Sequence, residues 1–204
     1  MNLNEYQKLA QRTSSTTHKD KIRNGCLGLI GETGEIVDAL KKWLFQSGGN
    51  APLPKDKFID EMGDVLWYCA EVISGHCWEM KDIFGAVSGY WRKLYTCDLE
   101  DIVISLSNNA AWVYARCFSN GAVGNADLII ESLRDVYGHL LDLCRHIGTS
   151  IDEVAEANIE KLKKRYPDGF DPERSMHRPE YQNSEEGNGG SAEGMLFNTR
   201  NHLV

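Results

Sequence analysis

The chain has few helix breakers, and their positions bound a long stretch without any. Its five prolines are at 52, 54, 167, 172 and 179. Residues 55–166 therefore contain no proline, the residue that most strongly interrupts a helix. No alternation of apolar and polar residues competes with the helical pattern there. We predict that this interval is helical and that the chain is all-α.

The chain also lacks long apolar runs and closely spaced cysteine pairs. No apolar run approaches the length of a membrane span, and the first residues lack the apolar core of a signal peptide. Six cysteines are present without a C-x-x-C spacing, and none of the six histidines has a partner at ligand spacing. We therefore expect buried reduced thiols, a cytoplasmic location and no membrane partner.

Positive charge is scarce. The net charge is -8 and the sequence pI is about 5.3. A nucleic-acid-binding face needs a basic stripe, so we expect no nucleic-acid partner. The basic exception is local, at residues 161–165.

With 204 residues and 42% hydrophobic residues, the chain can bury one core, as one domain or as two small repeats.

Two pairs of carboxylates carry most of the functional information. Glu32 and Glu35, like Glu61 and Asp64, are three residues apart, and such residues share one face of a helix. Both segments are more apolar than a surface helix, and basic residues do not cluster near them in the sequence. Because like charges repel, the pairs need either full solvation or a hard cation, and the apolar surroundings favour a divalent metal ion.

The periodicity predicts seven helices and a polar end. Gly148 is expected to end one helix, and Ser150 with Glu153 forms a capping box that opens the next. Loop 46–56 must fold the two acidic helices together, and Gly34 and Gly63 suggest that these helices approach closely. We predict a helical domain over 1–179 and a flexible tail over 180–204. The predicted helices are near 3–12, 24–45, 57–74, 79–95, 99–118, 126–147 and 150–166.

A weak internal match at an offset of 71 residues suggests repeats near 24–95 and 95–166. It pairs Asp64 with Asp135 and Lys93 with Lys164. Either the chain is an internally duplicated pseudo-dimer, or two amphipathic helices happen to share a period.

Two stretches resemble a known family. They are Leu27-Gly-Leu-Ile-Gly-Glu-Thr-Gly-Glu-Ile-Val-Asp-Ala-Leu-Lys-Lys-Trp-Leu-Phe-Gln46 and Asp60-Glu-Met-Gly-Asp-Val-Leu-Trp-Tyr68. They are similar to the MazG-like nucleotide pyrophosphohydrolases of the all-α NTP pyrophosphatase superfamily. The resemblance implies a MazG-like helical bundle that converts an NTP or dNTP to the nucleoside monophosphate and pyrophosphate. It further implies Mg2+, with Mn2+ as an alternative, bound by Glu32, Glu35, Glu61 and Asp64.

The resemblance resumes in the last predicted helix. Asn158, Lys161 and Arg165 match family positions associated with the substrate phosphates. Among the catalytic residues, Lys161 would neutralise charge, while Glu32 or Glu35 would orient the attacking water. Asp38 would be either a second-shell acid or a surface residue.

The stretch from about 75 to 145 looks inserted relative to compact members. In the duplicated arrangement, the counterparts of Asn158, Lys161 and Arg165 are apolar or aromatic, and Val103 and Leu106 replace Glu32 and Glu35. We therefore predict one composite site per chain, in a homodimer or an intrachain pseudo-dimer. The alternatives are a nucleotide sensor without turnover and a structural helical adaptor. A di-iron bundle is disfavoured because Glu-x-x-His pairs are absent. The preferred base and sugar stay open.

Overall fold

The computed structural model describes residues 1–85, 87, 98–118 and 125–171. Met1–Phe170 form one compact unit, and of the remaining segment, Asp171–Val204, only Asp171 is described. The predicted tail over 180–204 lies outside the described residues, as does most of the second half of the helix predicted over 79–95. The domain boundary at 179 stays a prediction.

Seven α helices have both ends within the described residues, and no β strand occurs among those residues. The all-α class is therefore confirmed. A 3-10 turn over Gln11–Thr13 follows the first helix. The helices are α1 (Leu3–Ala10), α2 (His18–Gln46), α3 (Lys55–Gly75), α4 (Met80–Phe84), α5 (Leu99–Phe118), α6 (Ala126–Ile147) and α7 (Ile151–Arg165).

The helix ends follow the local sequence chemistry. The Ser150 side chain accepts from the Glu153 backbone N–H and the Glu153 side chain accepts from the Ser150 backbone N–H, so the predicted capping box opens α7. Gly148 ends α6 with φ 70°, a left-handed conformation that glycine adopts without steric cost. The start predicted for the first acidic helix is wrong by six residues, because α2 already begins at His18 after the extended Thr17.

The two acidic helices, α2 and α3, pack antiparallel along much of their length. Two glycines of α2 allow this approach, since an added Cβ would lie 2.6 Å from Val72 Cγ2 at Gly25 and 2.2 Å from the Tyr68 ring at Gly28. The role predicted for Gly34 is wrong, because an added Cβ there would meet nothing within 4 Å. Gly63 does lie at a close approach, but its neighbour is Asn158 of α7.

The remaining helices complete the bundle around this pair. Helix α5 packs against both α2 and α6, while α7 packs against α3 and α1. The predicted apolar face of α6 is buried in the core, and its residues are Leu133, Val136, Leu140, Leu143 and Ile147. None of the helices in the described part of the chain is both long enough and apolar enough to cross a membrane.

Two pairs of helix starts share one spacing. Lys55 and Ala126, which open α3 and α6, are 71 residues apart, and so are Met80 and Ile151, which open α4 and α7. This spacing equals the offset of the internal sequence match.

Candidate metal site

Three carboxylates meet where α2 crosses α3. Glu32 of α2 and Glu61 and Asp64 of α3 each bring one oxygen to within 4.8 Å of the other two. Glu61 is buried with 5% of its surface exposed, and the other two are partly buried. Among the described residues, no other three His, Cys, Asp or Glu side chains come this close together. These are three of the four predicted metal ligands.

The other predicted acids of α2 lie outside this cluster. Each step of three residues rotates the side chain by roughly 60° around a helix, so Glu35 is turned towards solvent and is exposed. Asp38 is turned further and accepts hydrogen bonds from Lys41 and from Lys42, the latter at 2.6 Å. These two lysines lower the pKa of Asp38 to about 2.

Two of the three clustered acids, Glu32 and Asp64, resist ionisation. Burial, followed by the nearby charges of Asp64 and Glu61, raises the pKa of Glu32 to about 8. Burial also raises the pKa of Asp64, although Lys161 acts in the opposite direction. Three carboxylates this close do not all ionise readily without a cation beside them. The cluster therefore favours either a shared proton or a positive partner.

Helix α7 supplies polar partners from the far end of the sequence. The Asn158 amide donates to Asp64 Oδ1 at 3.0 Å, and Lys161 Nζ lies 2.7 Å from Asp64 Oδ2 and 2.6 Å from Asp60 Oδ1. Asn158 and Lys161, both predicted phosphate-binding residues, thus lie against the acids. Arg165, one turn beyond Lys161, is the last residue of α7 and is partly exposed.

Basic residues do lie near the acids in the folded chain, contrary to the prediction. Lys57 pairs with Glu61, and Lys161 pairs with Asp64. Glu61 raises the pKa of Lys57. The four-residue spacing of Lys57 and Glu61 could have revealed this pair.

Tyr6 of α1 also supports the site by holding Asn158 in place, and no local sequence pattern predicts this role. Its hydroxyl donates to Asn158 Oδ1 at 2.9 Å, and Asn158 in turn donates to Asp64. Tyr6 is 1% exposed and 152 residues away from Asn158 in the sequence. This chain of hydrogen bonds fixes the orientation of the Asn158 amide, so that its nitrogen faces the acids.

A cleft of about 290 Å3 adjoins the cluster at Lys57. Ala39, Trp43, Pro52 and Pro54 give it mainly apolar walls, and the Trp43 indole N–H donates to the Ala51 carbonyl at 2.8 Å. This hydrogen bond holds the ring at the edge of the cleft.

The donor set suits a hard cation. All three clustered ligand atoms are carboxylate oxygens, which Mg2+ and Mn2+ prefer, and no nitrogen or sulfur ligand accompanies them among the described residues. A divalent ion would also offset the repulsion that raises the pKa of Glu32. The cluster can therefore hold a metal ion.

No protein-family model, no curated protein and no solved structure matches this chain.

Proposed function

We propose that this protein is a Mg2+-dependent nucleoside triphosphate pyrophosphohydrolase of the MazG-like type. It would convert an NTP or dNTP to the nucleoside monophosphate and pyrophosphate. The observation that supports this most strongly is the convergence of Glu32, Glu61 and Asp64 within 4.8 Å, with Lys161 against Asp64. Oxygen donors next to a lysine are the groups that bind a metal-complexed polyphosphate.

Each side chain has a distinct part in this proposal. Glu32, Glu61 and Asp64 hold the Mg2+, which supplies the positive charge that allows a polyphosphate to approach an acidic site. Lys161 turns from the carboxylates towards the phosphates and neutralises charge on the departing pyrophosphate, with Arg165 one turn away on the same helix. Glu35, at the solvent side of the cluster, orients the attacking water.

We infer further that the site is composite within an internally duplicated chain. The acids come from the first repeat, near 24–95, whereas Asn158 and Lys161 come from the second, near 95–166. The common 71-residue spacing of helix starts supports this. So does the burial of Val103 and Leu106, the counterparts of Glu32 and Glu35, at 0% exposure. The second repeat thus has core residues where the first has acids.

The cleft beside Lys57 is a candidate for the nucleoside end of the substrate. Its apolar walls suit a base and sugar, and Lys57 lies between it and Glu61. A Trp43→Ala substitution should then raise KM and leave kcat nearly unchanged, because Trp43 would contact the base but not the reacting phosphorus. A fall in kcat alone would contradict this assignment.

The decisive experiment is a panel of NTPs and dNTPs with Mg2+, scored by chromatography for monophosphate and pyrophosphate. We expect turnover of at least one triphosphate, and a loss of about 100-fold or more in Glu61→Gln and Lys161→Ala. Lys163→Ala is the matched control, because Lys163 lies on the same helix but pairs with the exposed Glu160. Equal losses in Lys161→Ala and Lys163→Ala would contradict the proposed role of Lys161.

A structural adaptor, or a sensor that binds nucleotide without turnover, is the second candidate. The lysine pairs of Glu61 and Asp64 favour it, because they neutralise the acids without a metal ion. An adaptor would melt at the same temperature with and without Mg2+. A sensor would melt higher with Mg2+ and nucleotide while releasing no pyrophosphate.

A further inference from the structure

A second cluster of reactive side chains lies apart from the acids. Cys117, near the end of α5, places its sulfur 3.9 Å from Nε2 of His76, which follows α3. The same sulfur is hydrogen-bonded to the thiol of Cys26 on α2. Three segments therefore bring two thiols and an imidazole together, and the proposed hydrolysis uses none of them.

The two thiols differ in accessibility. Cys26 is 0% exposed, whereas Cys117 is partly exposed. The His76 ring stacks on Trp78 with 4.3 Å between ring centroids and 13° between planes, which limits its rotation away from Cys117. A small reagent from solvent consequently reaches Cys117 before it reaches Cys26.

The thiols also differ in acidity. The hydrogen bond from Cys26 and the contact with His76 lower the pKa of Cys117 to about 6, although burial acts in the opposite direction. The pKa of Cys26 is raised well above its ordinary value by the same sulfur–sulfur contact and by burial. Cys117 is therefore the thiol of the pair that ionises more readily, and thiolates are the nucleophilic form.

The arrangement is unlike a metal site. Cys26, Cys117 and His76 are all described, yet the only described group of three such donors within 4.8 Å of one another is the acidic cluster. Cys117 contacts both partners, but the three donors do not surround one point as zinc ligands do. Two neighbouring cysteines, one of them partly exposed and with a lowered pKa, instead match a reactive thiol and its resolving thiol.

We propose that Cys117 and Cys26 are a peroxide-responsive thiol pair that closes to a disulfide between α5 and α2. The Cys117 thiolate attacks one oxygen of hydrogen peroxide, the O–O bond breaks, and the hydroxide that leaves takes a proton from the buffered solvent. Cys117 is then a sulfenic acid. The Cys26 sulfur then attacks the Cys117 sulfur, the S–O bond breaks, and the departing hydroxide takes the Cys26 proton to leave as a second water. Two thiols are oxidised, and one peroxide is reduced to two waters.

The cross-link would join two cysteines that are 91 residues apart in the sequence. Closing a loop of this length restricts the unfolded chain, so the melting temperature of the oxidised protein should rise by on the order of 10 °C. This inference does not depend on the proposed hydrolysis.

The test treats the full-length reduced protein with one equivalent of hydrogen peroxide, blocks the remaining thiols and maps the peptides by mass spectrometry. We expect a Cys26–Cys117 disulfide as the first product and a loss of two of the six thiols. Cys26→Ala should instead accumulate a dimedone-reactive sulfenic acid at Cys117, and Cys117→Ser should slow the first thiol loss by at least tenfold. Cys69→Ala, a buried neighbour on α3, is the control and should behave like the wild type.

A first disulfide at any other pair, including one with Cys97, would overturn the proposal. So would an unchanged rate in Cys117→Ser, or sulfenic acid in the wild-type protein that never proceeds to a disulfide. The wild-type peptide map decides the matter even if Cys26→Ala does not fold.

Discussion

At the scale of single residues, Gly63 sets how closely α7 approaches the acids. A Cβ at this position would lie 2.9 Å from Asn158 Cβ and 3.0 Å from Asn158 Nδ2. Asn158 is itself 2% exposed and hydrogen-bonded on both sides, to Tyr6 and to Asp64. It has no room to retreat, so any side chain at residue 63 acts directly on the candidate site.

We predict that Gly63→Ala destabilises the protein by about 1–2 kcal/mol, because overpacking outweighs the better helix propensity of alanine. Urea unfolding measures the change. Gly34→Ala is the matched control: its Cβ enters open space within a helix, so we expect a gain of about 0.5–1 kcal/mol. If both variants gained stability, the close approach of Asn158 would not constrain the fold.

Glu32 should give metal-free protein a specific pH dependence. Its pKa is raised from 4.5 to about 8, so the folded protein holds this proton more tightly than the unfolded chain does. The resulting stability is fully present below pH 4.5 and is lost as the pH rises through about 8.

We therefore predict that the free energy of unfolding, measured in EDTA, falls between pH 5 and pH 8 in the wild type and falls less in Glu32→Gln. Added Mg2+ should restore more stability at pH 8 than at pH 5, because the ion replaces a proton. Identical pH profiles for the wild type and Glu32→Gln would contradict the raised pKa of Glu32.

The sequence could predict the acids better than their partners. Glu32, Glu61 and Asp64 stand out because their spacing and apolar neighbours are local features. Glu35 has the same local features, yet a rotation of one step around α2 exposes it. Tyr6 could not be predicted, because its link to Asn158 spans 152 residues and depends on how α1 docks.

At the scale of elements, hydrogen bonds to the Glu71 carboxylate of α3 hold the segment between α1 and α2 in place. Its carboxylate is 0% exposed and accepts hydrogen bonds from Gln11 at 3.0 Å, from Ser14 at 2.9 Å and from Thr16. Lys21, 3.4 Å away, supplies the balancing charge. One buried acid thus holds the backbone that turns from α1 into α2, which carries Glu32.

Replacing Glu71 by Ala should destabilise the protein by about 3–5 kcal/mol, because a buried charge pair loses one partner and several donors lose their acceptor. Chemical denaturation checks this value. Glu160→Ala, which removes only an exposed pair with Lys163, should leave the free energy of unfolding essentially unchanged. A loss below 1 kcal/mol in Glu71→Ala would mean that the segment is held by other contacts.

A helix could be predicted wherever neighbouring residues carry an apolar stripe or a capping pattern. Neighbouring residues predict the apolar stripe of α6, the end of α6 at Gly148 and the capping box of α7. The structure confirms all three features. The start of α2 was missed because residues 18–23 are mostly polar and lack a helical stripe. Their helical state depends instead on tertiary contacts such as that of Lys21 with Glu71.

At the scale of the whole molecule, the proposed composite site implies one nucleotide-binding site per chain. The acids come from α2 and α3, and Lys161 comes from α7, so each chain has the parts of one site. We predict that calorimetric titration with Mg2+ and a non-hydrolysable triphosphate gives one nucleotide per chain. Glu61→Gln should abolish this binding. Two nucleotides per chain would contradict the composite site.

The contact between Lys161 and Asp64 spans 97 residues. At translation rates of about 5–20 residues per second, Asp64 is synthesised roughly 5–20 seconds before this lysine. During that interval the nascent chain exposes its carboxylates with no counterpart from α7. The contacts of Asn158 and Lys161 with Asp64 can form only after α7 has been synthesised.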